Sequence, residues 1–160
     1  MTNGLGAAND KGPGVVVSPP LLFFGILLGG LGLQFLFPLR FVNSLFVQLA
    51  VGFPIATVGF GLGGWAVRTL TKAGTDPRPH SPVRSLVAHG PYRFSRNPVY
   101  LSGIIILLGI AVAADTLWLI LLLPIGLVLI HLQVRREEEY LEERFGEEYR
   151  KYKLNVRRWL

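Results

Sequence analysis

The feature that most constrains this chain is a set of long apolar runs without charge. Residues 21–39 carry no charged side chain. As a helix, at about 1.5 Å per residue, they would reach roughly 28 Å, close to the hydrocarbon thickness of a bilayer. The run 41–67 is also uncharged and is long enough to cross with tilt. Between Asn97 and Val134 the only charge is Asp115, which divides that stretch into 98–114 and 116–134. This pattern predicts a helical hairpin with Asp115 at its tip. A buried core helix in a soluble protein is the alternative, but four such runs in one short chain leave too little polar surface for it. Charged residues are only 16% of the 160, against about 25% in soluble domains. The expectation is an all-α integral membrane protein of four transmembrane helices, with a cytoplasmic loop and a C-terminal interfacial helix.

Absences narrow the chemistry further. With no cysteine, disulfides, thiolate metal sites and thiol nucleophiles are excluded, and three histidines leave little room for a histidine-built metal site. The formal charge of +6 does not indicate nucleic acid, because the charges crowd into two segments instead of covering a face. No small-x-small cleavage pattern follows the first run, so it is read as a retained helix behind a mobile tail, residues 1–20. Four spans put fifteen of the sixteen Lys and Arg residues on one side and Arg40 alone on the other. The positive-inside rule then makes both termini cytoplasmic. Gly25 with Gly29, Gly59 with Gly63, and Gly52 with Ala56 suit close helix packing, within the chain or in a homodimer. Pro54 and Pro124 should kink or open their spans.

The chemistry-bearing residues lie in 68–160, taken as a loop 68–96, a hairpin 97–134 and a helix 135–153. Gly90-Pro91 reads as a turn, and Asn97-Pro98 as the cap and first turn of the third span. Tyr92, Arg93 and Arg96 therefore stand where an irregular loop meets a helix N-terminus, a place that favours anions. They also suit a simpler role as positive-inside and aromatic anchors. In the last helix Val134, Leu141, Phe145, Tyr149 and Tyr152 form one apolar stripe, which Gly146 weakens. Glu137 falls on the stripe and Glu138 borders it, just where the helix leaves the membrane. An acidic residue there needs a partner, and Tyr92, Arg96 and Glu137 are expected to converge in one pocket. Glu142, Glu143 and Glu147 read as solvated.

These two segments resemble the isoprenylcysteine carboxyl methyltransferase and phospholipid methyltransferase families of integral-membrane enzymes. The likeness rests on Leu86-Val87, Gly90-Pro91-Tyr92-Arg93 and Arg96-Asn97-Pro98 with Tyr100, then Glu137-Glu138 with Leu141, Phe145-Gly146, Tyr149, Tyr152 and Val156. It covers residues 78–158. It implies an S-adenosylmethionine site without a Rossmann domain, in keeping with the lack of a GxGxxG after a strand. Carried over residue by residue, it implies cofactor contacts from Arg84, Ser85, Leu86, Val87, His89, Gly90, Tyr92, Asn97, Pro98, Val99, Tyr100, Glu137 and Glu138. It gives Arg96 and Glu137 catalytic roles. The prenylcysteine branch has Arg-His-Pro where this chain has Arg96-Asn97-Pro98. It also has an arginine where this chain has Gln133, for which Arg135, Arg136 or Arg96 could substitute. His131, one turn before Arg135, is the histidine placed to meet substrate.

The expected activity is S-adenosylmethionine-dependent methyl transfer, at the cytoplasmic membrane face, to a lipophilic small-molecule or lipid substrate that enters from the bilayer. Such a displacement depends on positioning and water exclusion more than on acids and bases. Two other readings share the layout: an NADPH-dependent membrane reductase of the sterol-reductase type, and a non-catalytic membrane scaffold.

Overall fold

The computed structural model describes residues 14, 18–76 and 83–160. Most of the expected 1–20 tail and the stretch 77–82, with Arg78 and His80, lie outside the described residues. Among the described residues the chain is helical and has no strand. Helix α1 is Pro19–Leu36 and α2 is Leu45–Lys72. A 3-10 turn, Gly90–Arg93, precedes α3, Pro98–Ala113. Helices α4, Leu117–Phe145, and α5, Glu147–Asn155, complete the chain.

Three helices, α1, α2 and α4, are long and apolar enough to cross a membrane. The expected third span is shorter than a full crossing. Helix α3 has 16 residues, which at 1.5 Å each is about 24 Å against a hydrocarbon core of roughly 30 Å. It is the central helix, packed on α2 along most of its length and also on α4 and α1. Helix α4, at 29 residues, overshoots the bilayer by several turns. The expected separate helix 135–153 is therefore replaced by the continuation of α4 to Phe145. The chain breaks at Gly146, whose φ of +51° combined with ψ −122° suits glycine, and α5 follows.

Glycine accounts for the tight α2–α3 packing. A Cβ on Gly52 would lie 2.7 Å from the Ala113 Cα, and one on Gly59 would lie 2.7 Å from the Ile106 Cγ1. One on Gly63 would lie 2.8 Å from the Ser102 Oγ, and one on Gly109 would run into the Ala56 backbone. The α2 glycine motif is thus used inside the chain. Gly25 on α1 has no neighbour in reach. A π-helical stretch, Gln48–Gly52, precedes Pro54 and accommodates its missing N–H. Pro124 sits inside an unbroken α4. Ile26, Leu107, Ala111, Leu119 and Leu123 form a core where α1, α3 and α4 meet. Phe24, Phe46, Phe60, Ile125 and Val128 point outward, as lipid-facing side chains do.

Asp115 does more than mark the hairpin tip. It is buried at a φ of +48°, and its Oδ1 accepts from the Phe41 and Val42 N–H groups at 2.8 and 2.7 Å. Gln34 donates to the Asp115 carbonyl, and the Trp118 indole donates to the Phe37 carbonyl at 2.7 Å. The α1–α2 connection is thereby tied to the α3–α4 turn, at the end of the bundle opposite residues 92–98.

Gly109→Leu should cost about 1–3 kcal/mol or more, since the Ala56 backbone cannot retreat as a side chain could. Gly25→Ala, facing open space, should be neutral or slightly stabilising. Thermal unfolding in detergent should show a lowered midpoint for the first variant only.

Candidate functional site

The site is a cavity of about 420 Å³ at the end of the bundle where α3 begins and α4 overshoots. Its walls come from distant parts of the chain. Pro19 and Pro20 open α1, and Val67 and Leu70 lie near the end of α2. Ser85, Leu86, Val87 and Tyr92 come from the loop, Arg96 to Tyr100 from the start of α3, and Glu137, Glu138, Tyr140 and Leu141 from α4. Tyr149 and Tyr152 come from α5. Tyr92, Arg96 and Glu137 thus share one cavity although they are distant in sequence.

The loop is held by contacts that follow from its residue types. Gly90, at φ +62°, turns the chain close to α2, where a Cβ would meet Thr69 Oγ1 at 3.1 Å. Val87 and Tyr92 bury themselves against Ala66. Ser85 Oγ donates to the Ala73 carbonyl at 2.9 Å, and Tyr152 Oη donates to the Tyr92 carbonyl at 2.6 Å. Pro98 starts α3, but the Asn97 side chain does not cap it. It is buried and donates instead to the Arg158 carbonyl at 3.1 Å.

The two glutamates have different partners. Tyr100 Oη donates to Glu137 Oε1 at 2.5 Å, and Gln133 Nε2 donates to the same oxygen at 3.1 Å. Glu138 is buried and takes both arginines: Arg158 bidentately at 3.1 and 2.6 Å, and Arg96 Nη1 at 3.1 Å. Arg96 thus pairs with Glu138, while lining the same cavity as Glu137. The reason is helical geometry, since consecutive residues on α4 point about 100° apart. Glu137 turns to α3 and Glu138 to α5 and the C-terminal residues. The Glu138 bond also holds the Arg158 guanidinium protonated beyond its ordinary range.

Other expected site residues lie away from the cavity. Arg84, His89 and Gly90 do not line it, and Arg84 and His89 are exposed. His131 and Arg135 lie on the exposed side of α4. Gln133 is fully buried, does not line the cavity, and donates to Glu137. Glu142, expected to be solvated, accepts from Arg150 Nε at 3.1 Å and Lys153 Nζ at 2.8 Å, clipping α5 to α4. Sequence reasoning missed the α1 and α2 ends in the wall, and Arg158. The signal for Arg158 was available: a second buried glutamate needs its own cation.

A family model described as phospholipid methyltransferase matches residues 47–148, more than half of the chain. The chain belongs to that family, and so is a membrane protein of the methyltransferase class. An uncharacterized protein of Haemophilus influenzae is 47% identical over 68 residues, which cover 39% of this chain and all of the relative. No solved structure matches the chain.

Three buried tyrosines make the site sensitive to alkali. Burial raises all three hydroxyl pKa values above the ordinary 10: Tyr149 to about 12, and Tyr92 and Tyr152 further. A group whose folded pKa is raised stabilises the fold fully below its unfolded value and loses that contribution as pH rises toward the folded one. Stability should therefore hold up to about pH 10 and fall above it, as the unfolded chain ionises first. Thermal melts across this range, with tyrosinate absorbance, would check it. A melting midpoint indifferent to pH above 10 would contradict the burial of these hydroxyls.

Proposed function

We propose that the cavity binds S-adenosylmethionine and that the chain methylates a lipophilic acceptor delivered from the bilayer. Glu137 carries the reading. It is a carboxylate on the wall of the cavity, with Tyr100 and Gln133 both donating to its Oε1.

The lining fits such a cofactor. The volume lies within the roughly 300–1,000 Å³ usual for small-molecule pockets. The wall is mostly apolar, with polar groups gathered at Glu137, Arg96 and the tyrosines. When bound, the cofactor supplies a methyl group activated on a sulfonium. Glu137 would accept from its amino or ribose donors and offset its positive charge. Tyr100 and Gln133 keep that carboxylate oriented. Arg96 would face an anionic group. Leu86, Val87, Tyr92 and Val99 would exclude water from the reacting centre.

On the acceptor side, Pro19, Pro20, Val67 and Leu70 bring the ends of two membrane helices to the cavity. A substrate leaving the lipid would meet these apolar walls first. Gln133 is neutral and already engaged with Glu137, so it offers no cation to a prenylcysteine carboxylate. This favours a phospholipid-type acceptor.

Glu137→Gln keeps the side chain's shape and removes its charge. It should weaken S-adenosylhomocysteine binding by about 1.5–3 kcal/mol, on the order of ten- to a hundred-fold. The exposed Glu143→Gln is the control. Calorimetry on detergent-solubilised protein would measure both. Equal binding by both variants would reduce Glu137 to a structural role, and NADPH binding in place of S-adenosylhomocysteine would move the chain to the reductase reading.

We further infer that the cavity end faces the cytoplasm, because among the described residues Arg40 is the one Lys or Arg at the other end. Arg40 and Lys151 are both exposed, and the chain has no native cysteine to interfere. Arg40→Cys and Lys151→Cys should therefore react with an impermeant maleimide from opposite sides of intact cells and inverted vesicles. Reaction from the same side would break the proposed orientation.

A further inference from the structure

Beyond α5 the chain turns extended at Val156, with φ −126° and ψ 129°, and runs back across the start of α3. The Arg96 N–H donates to the Arg157 carbonyl at 3.0 Å. Ser95 Oγ and Asn97 Nδ2 donate to the Arg158 carbonyl at 3.2 and 3.1 Å. Trp159 packs on the cluster of Tyr100, Ile130 and Val134. Residues 156–160 thus form a strap over the loop that carries Arg96.

The charges under the strap are unevenly shared. Arg158 meets both oxygens of Glu138 in a fork, the strong geometry for this pair. Arg96 Nη1 is 3.1 Å from Glu138 Oε1 but is not aligned to donate to it. Its Nε and Nη1 are buried without an acceptor, and the whole side chain is only 11% exposed. Glu138 is therefore shared unequally: Arg158 holds both its oxygens, and Arg96, on the cavity wall, has its charge only partly answered. A buried cation in that state is costly until an anion meets it.

We propose that Arg158 is a positioning residue. By holding Glu138, it keeps Arg96 available to an anionic group that enters the cavity. This rests on the reading of the cavity given above. The anion is a carboxylate or phosphate, and its two possible sources are the amino-acid end of the cofactor and a lipid headgroup. Without Arg158, Glu138 would turn fully onto Arg96 and neutralise it.

The test is a charge-rescue cycle on the full chain in detergent, with Arg158→Gln, Arg158→Lys and the double variant Glu138→Gln/Arg158→Gln. The probes are S-adenosylhomocysteine, methylthioadenosine (which lacks the carboxylate) and short-chain phosphatidylethanolamine. Arg158→Gln should bind S-adenosylhomocysteine about tenfold more weakly, with methylthioadenosine unchanged. The lysine variant should recover part of the loss. The double variant should recover most of it, because no carboxylate then competes for Arg96. The same pattern in phosphatidylethanolamine binding, with S-adenosylhomocysteine unchanged, would support the proposal and assign the anion to the headgroup. Hydrogen exchange at the Arg96 amide reports whether the strap stays docked; if Arg158→Gln releases it, the lysine and double variants decide the outcome. A double variant as impaired as the single would make Arg158 merely structural and overturn the proposal, as would unchanged binding of both S-adenosylhomocysteine and phosphatidylethanolamine. Wild-type protein that binds none of the three probes would overturn the cavity reading and this proposal with it. Wild-type binding with no difference among the variants would overturn this proposal alone.

Discussion

Two successive carboxylates leave the membrane on α4 and point into protein, and the surrounding structure answers their charge. A carboxylate at that depth is tolerated only with partners. Glu137 finds them on α3 and one turn back on its own helix, in Tyr100 and Gln133. Glu138 finds them in Arg96 and Arg158. Since consecutive helical residues diverge by about 100°, one dipeptide recruits two separate sets of partners. The start of α3, the strap and α5 are drawn together by that divergence. The cavity lies among them.

That gathering requires α3 and α4 to be held in register at the far end of the bundle. Asp115 does this with a left-handed turn and a carboxylate that accepts from two successive N–H groups of the α1–α2 connection. The α2–α3 contact then sets the lateral spacing. Its glycines let backbone meet backbone, so α2 cannot slide without a clash at Gly52, Gly59 or Gly109. Close packing of this kind replaces the hydrophobic drive that is missing between helices in lipid. Glycine therefore fixes the distance from Val67 and Leu70 to Tyr92, and with it the width of the cavity.

The sequence displayed the apolar helices, the turn at Gly90, a weak point at Gly146 and the inward-facing position of Glu137, because each follows from local periodicity or backbone freedom. It also showed Tyr92, Arg96 and Tyr100 at a helix start. It did not show how the charges would pair. Arg96 could reach either glutamate in a one-dimensional reading, and only the rotation of α4 against α3 decides for Glu138. Gln133 read as a departure from the pattern of the prenylcysteine branch that the sequence resembles, yet it donates to Glu137. The strap was least legible. Arg157 and Arg158 look like ordinary basic residues after a helix, and their role lies in main-chain carbonyls, which carry no sequence signature.

The cavity is amphipathic because of where its walls originate. Its polar groups come from elements beyond the bilayer edge, on the overshoot of α4, the loop and α5. Much of its apolar surface comes from the ends of α1 and α2, whose other residues face lipid. Helix α1 packs on α4 and α3 and makes little contact with α2. Both helices therefore border the cavity without closing on each other through a shared interface. A site between a polar cofactor and a lipid acceptor needs this division: charge fixed on one wall, and apolar helix ends on another where a lipid would arrive. A soluble methyltransferase fold could present the first wall to its cofactor. The second wall requires helices that end at the membrane surface, and in this chain the same α4 overshoot that carries Glu137 and Glu138 out of the bilayer brings the two walls together.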